Sequence, residues 1–225
     1  WHHIYQEVIF IQISLRDPGS AITHIIAFFL TMGGTLPLLI KAAGIGLPDF
    51  ISMLIFCLSM MILYAASGIY HSVILPAPKI KIFRKIDHSA IFILIAGSYT
   101  PVCLLILPHK LGYPMLIAIW SLAVIGIAVK ILWITCPKWF SSVVYIAMGW
   151  LCIFCMKPLI KAITPAAFAW LLSGGIIYTI GGIIYALKLP IFNARHKNFG
   201  SHEIFHLFVM AGSLCHFVFM YAYVI

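Results

Sequence analysis

The sequence predicts an all-α membrane protein, a bundle of about seven transmembrane helices with its N-terminus cytoplasmic and its C-terminus outside. Three observations carry this expectation. Residues are 64% hydrophobic and only 8% charged, whereas soluble domains carry about 25% charged residues. Too few charges remain to cover a water-facing surface, so the bilayer has to be the solvent for most of it. Apolar runs of spanning length alternate with short gaps rich in Pro, Gly, Lys and Asp. The basic residues are shared unequally between the two sets of gaps.

The spans follow in order. The first runs from Ser20 to Ile40 and the second from Phe50 to Leu75. The third runs from Ile86 to Leu107, with Pro101 inside it as an expected kink. The fourth covers Tyr113 to Trp133, the fifth Phe140 to Met156, the sixth Ala166 to Leu187 and the seventh Ser201 to Val224. Residues 1–19 form an N-terminal cytoplasmic segment and residues 20–225 the transmembrane domain. Arg16, Lys79, Lys81, Arg84, Lys85, Lys130, Lys138, Lys188, Arg195 and Lys197 fall on the side of the N-terminus; Lys41, Lys110, Lys157 and Lys161 fall on the other. By the positive-inside rule the richer side is cytoplasmic. The net charge of +9 therefore reads as loops facing anionic headgroups and not as a nucleic-acid surface. The six cysteines lie mostly within apolar runs and read as small buried hydrophobes, not as a disulfide framework.

Ionisable groups inside a bilayer are costly and point to function. His24 lies near the start of the first span, His71 near the end of the second, Asp87 and His88 at the start of the third, and His202, Glu203 and His206 at the start of the seventh. Alternation of direction brings all of them to one depth, in the cytoplasmic half. His202 and His206 are one helical turn apart and share a face, a spacing at which two imidazoles bind one metal ion. Ser67 with His71, and Ser20 with His24, repeat that spacing. A third ligand is expected from His71 or, failing it, Asp87; three protein ligands and an open position are the catalytic zinc pattern. Ser20, His24 and Glu203 are expected to surround the ligands. His216 lies ten residues beyond His206, about 15 Å along a helix, too far to share the ion. His202-Glu203-Ile204-Phe205-His206 also reads H-E-x-x-H, the metalloprotease pattern with glutamate as general base. No Asp or Glu follows Glu203 to complete the usual ligand set, which weighs against an intramembrane protease.

Asp17-Pro18 through Ser20-Ala21-Ile22-Thr23-His24, Ser67-Gly68-Ile69-Tyr70-His71, Asp87-His88-Ser89-Ala90-Ile91 running into Ala96-Gly97-Ser98-Tyr99-Thr100-Pro101, and His202-Glu203-Ile204-Phe205-His206 with Gly212-Ser213 and His216 together resemble the hemolysin III family. That family belongs with the progestin and adipoQ receptors and, more distantly, the alkaline ceramidases. The resemblance implies zinc held by His71, His202 and His206, Asp87 holding or deprotonating the zinc-bound water, and Ser67 steadying a substrate oxygen. It further implies hydrolysis of a lipid amide or ester, with a membrane lipid as substrate or ligand. Asp17-Pro18-Gly19-Ser20 resembles the bacterial branch, which implies a multi-pass protein of a bacterial plasma membrane. The competing expectation is a non-enzymatic cytolytic, pore-forming or membrane-homeostasis protein with structural zinc.

Overall fold

The structure, a computed structural model, describes residues 15–187 and 199–225. Residues 1–14 of the N-terminal segment, and the loop cations Lys188, Arg195 and Lys197, lie outside the described residues. Helix α1 spans Pro18–Ala43, α2 Leu47–Ser72, α3 Ala77–Pro101, α4 His109–Leu132, α5 Lys138–Gly149, α6 Met156–Ala162, α7 Pro165–Leu187 and α8 Ser201–Phe219. A π-helical turn, Val102–Ile106, prolongs α3; another, Met220–Val224, prolongs α8; a 3-10 segment, Trp150–Cys155, joins α5 to α6. Counted as continuous helical stretches, the described residues contain seven helices long and apolar enough to cross a membrane. They contain no strand.

Prolines set the helix starts. Each of α1, α2 and α3 has a proline in its first two positions, α4 and α5 each follow one directly, and α7 begins on Pro165. A missing N–H costs nothing there, because the first turn has no intrahelical acceptor for it. The helices pack in sequence, α1 on α2, α2 on α3 and α3 on α4, then α5 on α7 and α7 on α8; α8 returns to α1 and closes the bundle. Large apolar side chains face outwards, Leu132 being 86% and Phe154 77% exposed. Such exposure is stable only against hydrocarbon.

Two spans differ from expectation in a way that has a physical cause. The third starts at Ala77, not near Ile86, because Lys79, Lys81, Arg84 and Lys85 depress the hydropathy of turns that are nonetheless helical. The fifth is longer than Phe140–Met156 and is broken in its middle. The Tyr99 hydroxyl donates to the Gly149 carbonyl at 2.6 Å and accepts from the Cys152 amide at 2.9 Å. A side chain inserted into the backbone ladder forces it out of α geometry. Pro101 closes the α-helical part of the third span, and the chain continues past it as the π turn.

Lys130 does not reach headgroups as a loop cation would. It is 2% exposed and donates to Ser141 Oγ at 2.5 Å and Cys136 Sγ at 3.2 Å, with the Tyr145 ring centroid 5.6 Å away. The hairpin between α4 and α5 folds these partners around the ammonium. The four glycines Gly174, Gly175, Gly181 and Gly182 of α7 divide by how closely the neighbouring helices approach them. A Cβ at Gly174 or Gly181 would stand 2.3 or 2.7 Å from side-chain atoms of α8, and one at Gly182 3.1 Å from Ile146, whereas Gly175 has nothing within 4 Å.

At the corner of α3 and α4, a Cβ on Gly112 would stand 2.1 Å from the Cys103 carbonyl oxygen, a backbone atom that cannot swing away. Gly112→Ala is expected to destabilise the bundle by about 1–3 kcal/mol. Gly33→Ala, with nothing within 4 Å of its Cβ, should stabilise slightly or change nothing. Thermal unfolding of the two variants in detergent checks the contrast.

Candidate metal centre

Two helices carry the three histidines. His71 sits in the last turn of α2, and His202 and His206 occupy the first two turns of α8. One donor atom from each of the three lies within 4.8 Å of the others, the single such His/Cys/Asp/Glu group among the described residues. His71 Nε2 and His202 Nε2 face each other at 3.2 Å.

The hydrogen bonds on the far side of two rings fix which nitrogen is free. His71 Nδ1 lies 2.9 Å from Asp17 Oδ2. A carboxylate only accepts, so Nδ1 carries the proton and Nε2 keeps its lone pair. Thr23 Oγ1 donates to the Gly19 or Ser20 carbonyl, at 3.0 and 2.9 Å, and so accepts from His206 Nδ1 at 3.2 Å. His206 Nε2 is thereby left as a ligand atom as well. Two imidazole nitrogens facing at 3.2 Å repel unless a proton or a cation lies between them. Tetrahedral zinc with bonds of roughly 2.0–2.1 Å holds its nitrogens about 3.3 Å apart, so the three imidazoles fit zinc in type and the His71–His202 pair fits it in spacing.

Asp17 is held by a local device. Its backbone N–H donates to the His71 carbonyl at 3.0 Å, and the Arg16 N–H reaches Ser72 at 3.4 Å. The segment before α1 is thus tied to the end of α2. Arg16 pairs with Asp17 at 2.8 Å and lies over the Tyr70 ring, 4.0 Å from its centroid. Burial pushes the Asp17 carboxyl up, but the hydrogen bonds from His71 and Arg16 outweigh it and hold the group below its ordinary value. A carboxylate on the outer nitrogen of a metal-binding histidine orients the ring and raises its basicity.

The other residues singled out in the sequence fall into two groups. His24, 2% exposed, stacks on His206 with ring centroids 3.7 Å apart, and neither of its nitrogens has a partner. It borders a cavity together with Ser67, Asp87, His202 and His206. Asp87 lies outside the three-histidine donor group, next to Ser67, and its nearest ionic neighbour is His88 Nε2 at 3.9 Å. Ser20 and Glu203 are engaged elsewhere. Ser20 Oγ donates to Glu203 Oε1 at 2.5 Å, and the Gly200 N–H donates to Glu203 Oε2 at 2.8 Å. The carboxylate that the H-E-x-x-H pattern would use as a base is therefore employed in starting α8 and in tying it to α1.

The cavity runs between α2, α3, α7 and α8 and the fifth span. On α3 its lining extends from Asp87 to Val102, about 22 Å of helix at 1.5 Å per residue. Beyond the histidines its walls are largely apolar, with Leu94, Ile95, Val102, Leu159, Phe168 and Leu171 among them. Two contributors escaped the sequence reading. Asp17 precedes the first apolar span and so was not counted among intramembrane ionisable groups. Thr23 carries no charge and is conspicuous only as the neighbour of His24.

The profile of the family described as "Haemolysin-III related" matches residues 14–217. The chain is 40% identical over 203 residues to the "Hemolysin-3 homolog" of Bacillus subtilis, a match covering 90% of this chain and 91% of that protein. It is 38% identical over 211 residues to "Hemolysin-3" of Bacillus cereus, covering 93% and 92%. A more distant match, 29% over 157 residues, covers 61% of this chain and 34% of the "Adiponectin receptor protein" of Drosophila melanogaster.

Asp17→Ala removes the acceptor that orients His71 while leaving all three imidazoles in place. Zinc affinity is expected to fall about 10–100-fold, measured by competition with a chromophoric chelator. Glu203→Gln, whose oxygen can still accept from the Gly200 N–H while its NH2 donates to the Ser20 hydroxyl, should change it far less.

Proposed function

The chain belongs to the haemolysin-III related family, a multi-pass membrane protein by its seven spans, and from that premise we propose that it is a zinc-dependent hydrolase of a lipid amide or ester. The observation that carries the proposal is that His202 and His206, with His71 Nε2 3.2 Å from His202 Nε2, border a long, largely apolar cavity that Asp87 and Ser67 also border. A lone structural cluster needs no such cavity. A lipid hydrolase needs both, a polar reacting end and a dry channel for the chain.

His71, His202 and His206 would hold the zinc. Zinc bound there supplies a Lewis acid and a hydroxide at neutral pH. Asp17 holds the His71 ring in register, and Thr23 does the same for His206. Asp87, buried and facing the cavity, accepts a proton and returns it to the leaving amine or alcohol. Ser67, beside Asp87 on the cavity wall, would donate to the acyl oxygen of a bound lipid. The apolar walls exclude water from the chain and keep the acyl group near the histidines. By the positive-inside rule this end of the bundle would face the cytoplasm.

The relatives' name attaches haemolysis to them. A pore reading asks for a continuous polar stripe across the bilayer, and the leucine, isoleucine and phenylalanine walls of the cavity do not offer one. The protease reading loses its base to the Ser20 and Gly200 hydrogen bonds.

Purified protein incubated with ceramide and with phospholipid is expected to release free fatty acid, detected by mass spectrometry, and to stop doing so after chelation until zinc is restored. Asp87→Asn should retain zinc and lower turnover by about 10²–10⁴-fold. No release from either lipid class by zinc-loaded protein would overturn the proposal.

A further inference from the structure

A second polar group of side chains reaches the cavity wall, well away from the histidine triad. On α8, Ser213 and His216 lie seven and ten residues beyond His206, about 10 and 15 Å further along the helix. Tyr64 of α2 donates to Ser213 Oγ at 2.6 Å, and the Tyr178 hydroxyl of α7 is 2.7 Å from the same oxygen. Three hydroxyl protons thus meet two hydrogen bonds, and the third has no acceptor among the described residues. His216 stands beside this chain, its ring centroid 5.3 Å from that of Tyr178. Both of its nitrogens are shielded and unpartnered; the Leu171 carbonyl lies near the ring, but not in hydrogen-bonding geometry. Tyr178 and His216 both border the cavity.

The two rings are seated reciprocally. A Cβ on Gly212 of α8 would stand 2.8 Å from the Tyr178 ring, and one on Gly174 of α7 would stand 2.3 Å from the His216 ring. Each helix gives up a side chain so that the other's polar ring lies against its backbone. Neither ring can swing away without parting the helices, so the hydrogen-bonding groups are held in place before any ligand arrives.

We infer that Tyr178 and His216, with Ser213 behind Tyr178, form a second hydrogen-bonding station on the cavity, and that the lipid it takes carries a hydroxyl part-way along its chain. A neutral imidazole offers one donor and one acceptor, and the hydroxyl chain offers one more donor. A hydroxyl both donates and accepts, so it satisfies this set. A plain methylene chain leaves all of it buried without partners, which is costly inside a membrane. This rests on the proposed lipid reading of the cavity, but it does not require turnover.

The test is equilibrium displacement of a fluorescent fatty acid from the purified full-length protein. The competitors are stearic acid and a panel of monohydroxystearic acids whose hydroxyl is stepped along the chain. Hydroxyls at one or two adjacent mid-chain positions are expected to bind about two- to tenfold tighter than stearic acid, the range one net hydrogen bond supplies. In Tyr178→Phe, and independently in Ser213→Ala, that ratio should fall towards one. Equal affinity across the whole panel overturns the station while leaving a lipid cavity standing. So does a position preference that survives in both variants, and a merely structural role for these residues predicts that survival. If no fatty acid displaces the probe, the lipid reading of the cavity fails, and the station with it.

Discussion

In hydrocarbon a polar group cannot fall back on water, and the histidine site follows from that constraint. His71, His202 and His206 are brought together in a bundle whose outer surface is leucine, isoleucine and phenylalanine, and two of their nitrogens face each other at 3.2 Å. Nitrogens at that distance need a proton or a cation between them. The surrounding bonds are arranged to keep those lone pairs available. Asp17 takes the outer proton of His71, Thr23 takes that of His206, and the Glu203 carboxylate is turned to Ser20 and the start of α8. Hydrogen bonding and helix capping thus leave the Nε2 atoms of His71 and His206 free, in a histidine cluster that could bind a metal.

The fold serves this site by closing on itself. The site draws ligands from α2 and α8, which are far apart in sequence, and it holds together because α1 lies between them. Arg16 and Asp17 tie the beginning of α1 to the end of α2, while Ser20 and Thr23, one turn on, tie it to Glu203 and His206 of α8. One helix end thus sets the register of both ligand-bearing helices. The fifth span, interrupted where the Tyr99 hydroxyl enters its backbone ladder, forms part of the cavity wall.

Much of this was legible in the sequence, and the parts that were not share a cause. Apolar run length and proline punctuation predict the spans, and the single-turn spacing of His202 and His206 predicts their shared face. His71 joins them because alternating helix direction returns the end of the second span to that depth. The start of the third span was placed too late, since charged first turns depress hydropathy without opposing helix formation, and the end of the fifth was placed too early, at Met156, where the helix runs to Ala162. Asp17 escaped as a positioning residue because it stands outside the apolar run, where a carboxylate is unremarkable until its partner is known. Lys130 was read as a loop cation; a buried position for it follows only from the α4–α5 hairpin bringing Cys136 and Ser141 around its ammonium. These are tertiary facts, and no local pattern encodes them.

The central claim is that three histidines and no cysteine hold a zinc ion with one position left open. Zinc K-edge X-ray absorption on the purified protein tests it most directly. The account predicts about one zinc per chain, with a first shell of light atoms only, nitrogen and oxygen at about 2.0–2.1 Å. A sulfur shell at about 2.3 Å, or protein that binds no zinc after reconstitution, would contradict it.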